Sequence, residues 1–111
     1  MRIKGNLRPT RSIFRRELWC QLIARRPEFR PCQSHRLRNP FSGELITIES
    51  PPDAAEVMLG GRSVGTVYWS MSDKPLVNVI IESSALPLVA EWAEDVGGEF
   101  RLYSPEAASD N

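Results

Sequence analysis

Alternation of side chains marks the middle of the chain as β-structure. Over 62–70, one set of alternate residues includes Val64 and Tyr68, and the other includes Val67 and Trp69. Successive side chains of a strand point to opposite faces, so this run predicts a strand. Further runs rich in apolar and β-branched residues predict four more strands, at 45–49, 55–59, 76–82 and 99–103.

Glycines locate the turns of this predicted sheet. Gly60 and Gly61 separate two of the strand-like runs, and paired glycines can supply the positive φ angles of a two-residue hairpin. Gly65, inside a predicted strand, indicates a bulge or a close approach of another backbone. Ser-Asp-Lys-Pro at 72–75 predicts a further turn.

The first predicted helix has an unusual distribution of apolar residues. Thr10 or Ser12 can cap it, and Pro27 ends it at about Arg26. Its apolar residues form three stripes: Phe14, Leu18 and Leu22; Trp19 and Ile23; and Ile13, Cys20 and Ala24. A surface helix typically has one stripe. Either this helix packs on two sides within its own domain, or one face meets another chain.

The second predicted helix, 84–96, is conventional. Ser83 or Ser84 can cap it, Pro87 fits its first turn, and Gly97 begins its C-terminal cap. One apolar stripe runs along it, formed by Leu86, Val89, Ala93 and Val96 with Trp92 alongside.

The element order predicts a two-layer α+β fold. Strands joined by short turns form an antiparallel meander, here with the Gly-Gly hairpin, and we expect four to five strands covered by two helices. We predict a single domain over 1–104. It comprises a basic N-terminal helix and connector at 1–40, with the sheet and second helix at 41–104, and a polar tail at 105–111 follows.

Charge is unevenly distributed, although the formal net charge is zero. Residues 1–40 hold eleven Lys and Arg against two acids, whereas the remainder holds three against twelve. Such asymmetry indicates either internal pairing of the two segments or contact with nucleic acid or a membrane. No apolar run reaches the ~18 residues that a membrane span needs. We therefore expect a soluble, cytoplasmic protein without a membrane partner.

Candidate catalytic and metal-binding chemistry is sparse. Cys20, Cys32 and His35 are one ligand short of a closed zinc site, so no metal site is predicted. Neither a nucleophile elbow nor a Gly-rich phosphate loop occurs. The acids of the second helix read as a solvated face. We expect no catalytic residues and no cofactor, and an enzyme using Asp or Glu with His35 is the third hypothesis.

The first hypothesis is a non-enzymatic protein-interaction or regulatory domain, such as an inhibitor, an immunity-type subunit or a homodimer. Tyr68 and Trp69 are consecutive on a strand, so only one can lie under the helices. Aromatic residues and Arg are enriched at protein interfaces. The predicted partner-binding residues are Trp19, Ile23, Tyr68 and Trp69 as apolar contacts, with Arg15 and Arg16 at the rim.

The alternative hypothesis is nucleic-acid binding through the Arg-rich segment 25–40. Its arginines flank Phe29 and can contact phosphates; they are Arg25, Arg26, Arg30, Arg36 and Arg38. The run Arg-Asn-Pro-Phe-Ser-Gly at 38–43 resembles the tip of the DNA-binding arm in the histone-like HU/IHF family. The resemblance implies that Pro40 wedges between base steps, with Arg36 and Arg38 on the backbone. The same residues are also ordinary turn chemistry, and the isoelectric point is only about 6.6.

Overall fold

Six strands pair in one antiparallel sheet, in the order β2-β5-β6-β7-β1-β8, and two more form a small separate sheet. The strands are β1 (Arg2–Pro9), β2 (Phe29–Pro31), β3 (Arg36–Arg38), β4 (Leu45–Thr47), β5 (Ala54–Leu59), β6 (Arg62–Met71), β7 (Pro75–Glu82) and β8 (Gly98–Leu102). The computed structural model describes residues 1–71 and 74–103. The predicted tail, 105–111, and the turn residues 72–73 lie outside that part.

Two helices, α1 (Arg16–Arg25) and α2 (Leu86–Val96), cover one face of the six-stranded sheet, which we call the inner face. Alternate residues of β6 and β7, such as Val67 and Val79, are directly paired and fully buried there. Phe29 lies between the two helices, with ring centroids 5.7 Å from Trp19 and 4.7 Å from Trp92. The predicted two-layer α+β class is confirmed.

Local turn chemistry is as the sequence predicts. Gly60 and Gly61, both with positive φ, join β5 to β6, and Gly97 ends α2 at φ 74°. The register of β5 against β6 shifts between Val57 and Met58, opposite the segment that contains Gly65. A Cβ at Gly65 would lie 2.5 Å from the Ile80 carbonyl oxygen, so both the bulge and the close backbone approach are present.

The sheet is larger than predicted because the chain begins with a strand. β1 lies between β7 and β8 and is antiparallel to both. Its alternate residues Ile3, Gly5 and Leu7 share the inner face with Val77, Val79 and Ile81. Only two of these β1 positions carry a large apolar side chain, so the alternation does not stand out within a basic segment. The predicted assignment of 1–40 to a helix and a connector is therefore wrong for its first nine residues.

α1 is shorter than predicted and packs one face against its own domain. It begins at Arg16, since the backbone N–H groups of Thr10 and Arg11 donate to the Gly97 carbonyl and hold the preceding segment beside α2. Its buried side chains, Trp19, Leu22 and Ile23, form one face toward the sheet. On the remaining apolar stripes, Phe14 is buried, and Leu18 and Cys20 are half-buried. Ile13 and Ala24 are exposed, so the chain covers only part of the apolar surface that the sequence predicts.

The predicted connector contains ordered strands. β3 and β4 form a two-stranded arm, residues 36–47, which lies against the outer face of the main sheet. The predicted strand at 45–49 therefore belongs to this arm and not to the meander. Leu37 and Ile48 are buried against Ala54, with Tyr68 packed beside them. Within the described residues, no helix is long and apolar enough to cross a membrane.

Candidate functional site

Three predicted partner-binding residues lie in the core. Trp19 is fully buried and donates its indole N–H to the Asp53 carbonyl at 2.7 Å. Ile23 is also buried. Trp69, on the inner face, stacks on Phe14 with ring centroids 5.2 Å apart. Because the chain itself covers these side chains, they offer no apolar surface to another protein.

Of the other three predicted partner-binding residues, Arg15 and Arg16 are neighbours at the N-terminal end of α1, whereas Tyr68 lies on the opposite face of the sheet. Arg15 is exposed at the N-terminal end of α1. Arg16 donates to the buried Asp53 carboxylate at 2.8 Å. Tyr68 is half-buried on the outer face beneath the arm, where burial and the nearby Glu44 raise its pKa. The structure therefore does not assemble these residues into one surface.

Asp53 and Cys20 form a small polar cluster with Arg16 beneath α1. Burial raises the pKa of Asp53, and the Arg16 hydrogen bond offsets this only partly. Its Oδ1 is buried without a hydrogen-bond partner in the described structure. Burial also raises the pKa of the Cys20 thiol. A thiol with a raised pKa is a weaker nucleophile at neutral pH, because less of it is ionised.

The three soft side chains that the sequence places near one another, Cys20, Cys32 and His35, do not form a ligand set in the described structure. His35 lies on the arm side, where Nδ1 is 2.9 Å from the Ile48 carbonyl oxygen, and the Cys32 Sγ donates to the Ser34 carbonyl at 3.0 Å. Cys20 is on α1. Across residues 1–71 and 74–103, no group of three or more His, Cys, Asp or Glu side chains could hold a metal ion.

The predicted nucleic-acid residues separate into two groups. Arg25 and Arg26 face α2, and both are paired with Asp95. Arg26 also binds Glu91 at 2.6 Å. Part of the positive charge of residues 1–40 is thus paired with acids of residues 41–111.

Arg30, Arg36 and Arg38 instead meet at one groove between β2 and the arm. The groove is open to solvent, has a volume of about 530 Å³ and is also lined by Pro31, Cys32, Gln33, Ser34, Leu37, Leu45 and Glu56. Arg36 and Arg38 are alternate residues of β3 and are exposed, whereas Leu37 between them is buried against the sheet. Strand periodicity therefore presents both guanidinium groups on the side away from the sheet. We call this feature the arginine groove.

Within the part of the chain that the structure describes, Arg30 is the one arginine of this set with a carboxylate partner. Arg30 Nε donates to Glu56 at 3.1 Å across the β2–β5 pair. Arg38 donates to the Gly43 carbonyl at 2.8 Å, a contact that orients the side chain without cancelling its charge. Among the described residues, neither Arg36 nor Arg38 has a carboxylate within 4.0 Å.

The segment that resembles a DNA-binding arm does form the turn of a two-stranded arm. Asn39 Oδ1 accepts the Phe41 backbone N–H at 2.9 Å, and Gly43 has φ 76°. However, the tip rests against the main sheet, with the Arg2 guanidinium 5.8 Å from the Phe41 ring centroid. Pro40 is half-buried in this turn. The turn chemistry is present, but the tip does not extend from the body of the protein.

Further cations lie on the same outer face. Strand register places Arg2, Lys4 and Arg8 of β1 on that face, next to Arg101 of β8. A second, smaller concavity of about 440 Å³ is lined by Arg8, Arg101 and Lys74, with Glu99. Arg101 pairs with Glu99, whereas Arg2, Lys4 and Arg8 form no salt bridge among the described residues. On the helical side, by contrast, Arg25 and Arg26 pair with acids of α2.

Sequence reasoning did not find Glu56, Cys32 or Leu45 as groove residues. Arg30 and Glu56 are opposite in sign, but 26 residues separate them and only the β2–β5 register brings them together.

No protein-family model, no curated protein and no solved structure matches this chain. The assignment of a site therefore depends on the geometry of the molecule itself.

Proposed function

We propose that this protein is a non-catalytic nucleic-acid-binding domain that holds a phosphate backbone in the arginine groove. The observation that carries the proposal is the convergence of Arg30, Arg36 and Arg38 on one concave surface, with Arg36 and Arg38 free of carboxylate partners in the described structure. Guanidinium groups bind phosphate oxygens through charge-assisted hydrogen bonds, often in bidentate geometry.

The groove is better suited to contact with the phosphate backbone of a nucleic acid than to recognition of its base edges. Three arginines against one acid, Glu56, give the mixed polar and apolar lining of the groove a net positive charge. The nearby aromatic side chains are engaged elsewhere: Tyr68 lies under the arm and Phe41 against Arg2. Binding by phosphate contact alone releases counterions and is largely independent of sequence. We therefore expect modest affinity, strong salt dependence and little preference among sequences.

A protein-interaction function has less support at the residues that the sequence predicts for it. Trp19, Ile23 and Trp69 are covered by the chain. Arg15 remains an exposed cation at the end of α1, but no apolar member of the predicted set accompanies it.

The test is a fluorescence-anisotropy titration of labelled single-stranded and duplex DNA across salt concentrations. The double variant Arg36→Ala/Arg38→Ala removes two exposed cations from the groove. We expect the slope of log affinity against log salt to become shallower by roughly 1.4 for single strands and 1.8 for duplex. Affinity at low salt should fall about tenfold or more.

The matched control is Arg15→Ala/Arg25→Ala, which removes the same charge from exposed positions on the helical side. It should bind as the wild type does, and thermal melts should establish that both variants are folded. Absence of wild-type binding at low salt would overturn the proposal. Equal losses in the two double variants would also overturn it, since that result indicates a general charge effect.

A further inference from the structure

We propose that two copies of this chain associate through the free edge of β8, so that their sheets join edge to edge. β8 is the last strand of the six-stranded sheet, and on one side it pairs with β1. No strand in the described residues pairs with its other side. The proposal concerns a surface remote from the arginine groove and does not depend on nucleic-acid binding.

The two edges of the sheet differ in how they are protected. β2, at the opposite edge, is three residues long and contains Pro31, and short length and proline both discourage strand addition. β8 has five residues, no proline and an unbroken register against β1. It therefore offers a regular row of backbone groups of the kind to which a further strand can add.

Backbone N–H and C=O groups of successive residues in β8 point alternately toward β1 and away from it, and this alternation identifies the groups that can bind a further strand. The Tyr103 N–H donates to the Lys4 carbonyl at 2.8 Å, so the backbone groups of Arg101 and Glu99, in the same phase, also point toward β1. The backbone groups of Gly98, Phe100 and Leu102 consequently point to the free edge. A partner strand must point its own backbone N–H and C=O groups at these positions to pair with them.

A second, antiparallel β8 meets this requirement when the two-fold axis passes midway between the Phe100 residues of the two copies. In that register Phe100 pairs with Phe100 of the other copy, and Gly98 pairs with its Leu102. All the edge-facing groups of the strand are then used. A register centred on Glu99 or Arg101 would be out of hydrogen-bond phase and would place like charges directly opposite each other.

Charge complementarity supports the same register. Glu99 and Arg101 lie on the outer face with side chains 47% and 60% exposed, and within one chain they bind each other at 3.0 Å. With Phe100 at the centre, Glu99 of each copy lies opposite Arg101 of the other in non-hydrogen-bonded pairs, where side chains approach closely.

The apolar residues at this edge also suit a second copy. Leu102 is 64% exposed although it shares the inner face with Phe100. In the proposed register it lies opposite Gly98 of the other copy. There the Phe14 ring fills the space that a Gly98 side chain would take, so Leu102 meets an apolar surface. The axis runs perpendicular to the sheets, so both outer faces, and both arginine grooves, lie on the same side of the dimer.

A charge-swap series tests the interface by analytical ultracentrifugation over a range of protein concentrations. The wild type should show a monomer–dimer equilibrium. Arg101→Glu places acids opposite each other and should weaken self-association roughly tenfold. Combining it with Glu99→Arg restores opposite charges across the axis and should restore the dimer. Arg36→Glu, on the distant arm, is the charge control and should dimerise normally.

Both β8 positions are exposed, so the variants should fold, which circular dichroism can establish. A wild type that stays monomeric at every concentration overturns the proposal. A dimer that Arg101→Glu leaves intact overturns it too, because association then uses another surface. Loss in the single variant without recovery in the swap excludes the Phe100-centred register. Nucleic-acid binding by a monomer would leave the proposed function standing while this inference fails.

Discussion

Glu28 is a buried acid that joins the end of α1 to α2. Its carboxylate accepts the Trp92 indole N–H at 2.8 Å and the Arg26 Nε–H at 2.5 Å. Burial raises the pKa of Glu28, but these two hydrogen bonds, a backbone hydrogen bond and the charge of Arg26 together hold the pKa below its usual value. A buried carboxylate stabilises a fold only when such donors satisfy it, and here they do.

We predict that Glu28→Gln destabilises the protein by about 2 kcal/mol at neutral pH, since the neutral amide loses charge-assisted bonds. Because the folded-state pKa is lowered, the contribution of Glu28 is complete above the ordinary glutamate pKa. It is lost as the pH falls through the lowered value. The difference between wild type and variant should therefore shrink on acidification. Urea denaturation across this pH range measures it.

The control is Glu94→Gln, at an exposed position of α2, which should change stability little at any pH. A constant difference between wild type and Glu28→Gln from neutral to acid pH would contradict the assignment. The contribution of Asp53 to stability depends on pH in the opposite direction. Because its pKa is raised, the free energy of unfolding falls as the pH rises through the raised value. Asp53 is present in wild type and in both variants, so comparing each variant with wild type at the same pH cancels the contribution of Asp53.

The arm is the element whose position most affects the proposed function. Its underside is apolar, with Leu37 and Ile48 buried against Ala54, and its upper side carries the exposed arginines. A two-stranded ribbon alone is marginally stable in water. Packing of Leu37 on the sheet therefore fixes the distance between β3 and β2 and so the width of the arginine groove.

We predict that Leu37→Ala loosens the arm selectively. Removing this buried side chain should cost about 2 kcal/mol. Hydrogen exchange should accelerate for amides of 36–48, including the Ile48 N–H that donates to the His35 carbonyl, while β6 and β7 stay protected. Leu45→Ala, on the same arm but 47% exposed, is the matched control and should exchange as wild type. Uniform acceleration across the sheet would contradict an independently docked arm.

At the scale of the whole molecule, the first strand is structurally central although it comes from a segment that looks like a basic extension. β1 separates β7 from β8, so the N-terminus links the meander to the strand that follows α2. Its charged residues face outward while Leu7 is fully buried in the core. The basic first third is thus divided between the outer face and the acidic surface of α2.

We predict that Leu7→Ser and Arg8→Ser differ sharply, although the residues are neighbours. Leu7→Ser leaves a cavity and a buried hydroxyl and should cost roughly 4 kcal/mol. For a chain of this size that loss corresponds to a melting temperature roughly 15 °C lower. Arg8→Ser, on the exposed face, should shift melting by a few degrees at most. Thermal melts followed by circular dichroism compare them, and similar melting temperatures would contradict the central placement of β1.

Particular residues show how far sequence reasoning extends. Gly60-Gly61, Pro27 and Gly97 act through their own backbone restrictions, so the hairpin and both helix ends were predictable within a few residues. Tyr68 and Trp69 were correctly expected on opposite faces. The sequence did not indicate that the chain itself would cover Trp19 and Trp69. Arg36 and Arg38 were predicted to act with Arg25 and Arg26, which the fold places elsewhere.

The sequence by itself determined the α+β class, the Gly-Gly hairpin and the charge division, because periodicity, turn geometry and composition are properties of neighbouring residues. Only the tertiary structure decided that β1 inserts between β7 and β8, that Arg30 meets Arg36 and Arg38, and that β8 is the last strand of the sheet that the described residues form. Those features depend on which strands pair and in which register. Pairing between distant segments is selected by burial of the whole core, a quantity that no local stretch of sequence contains.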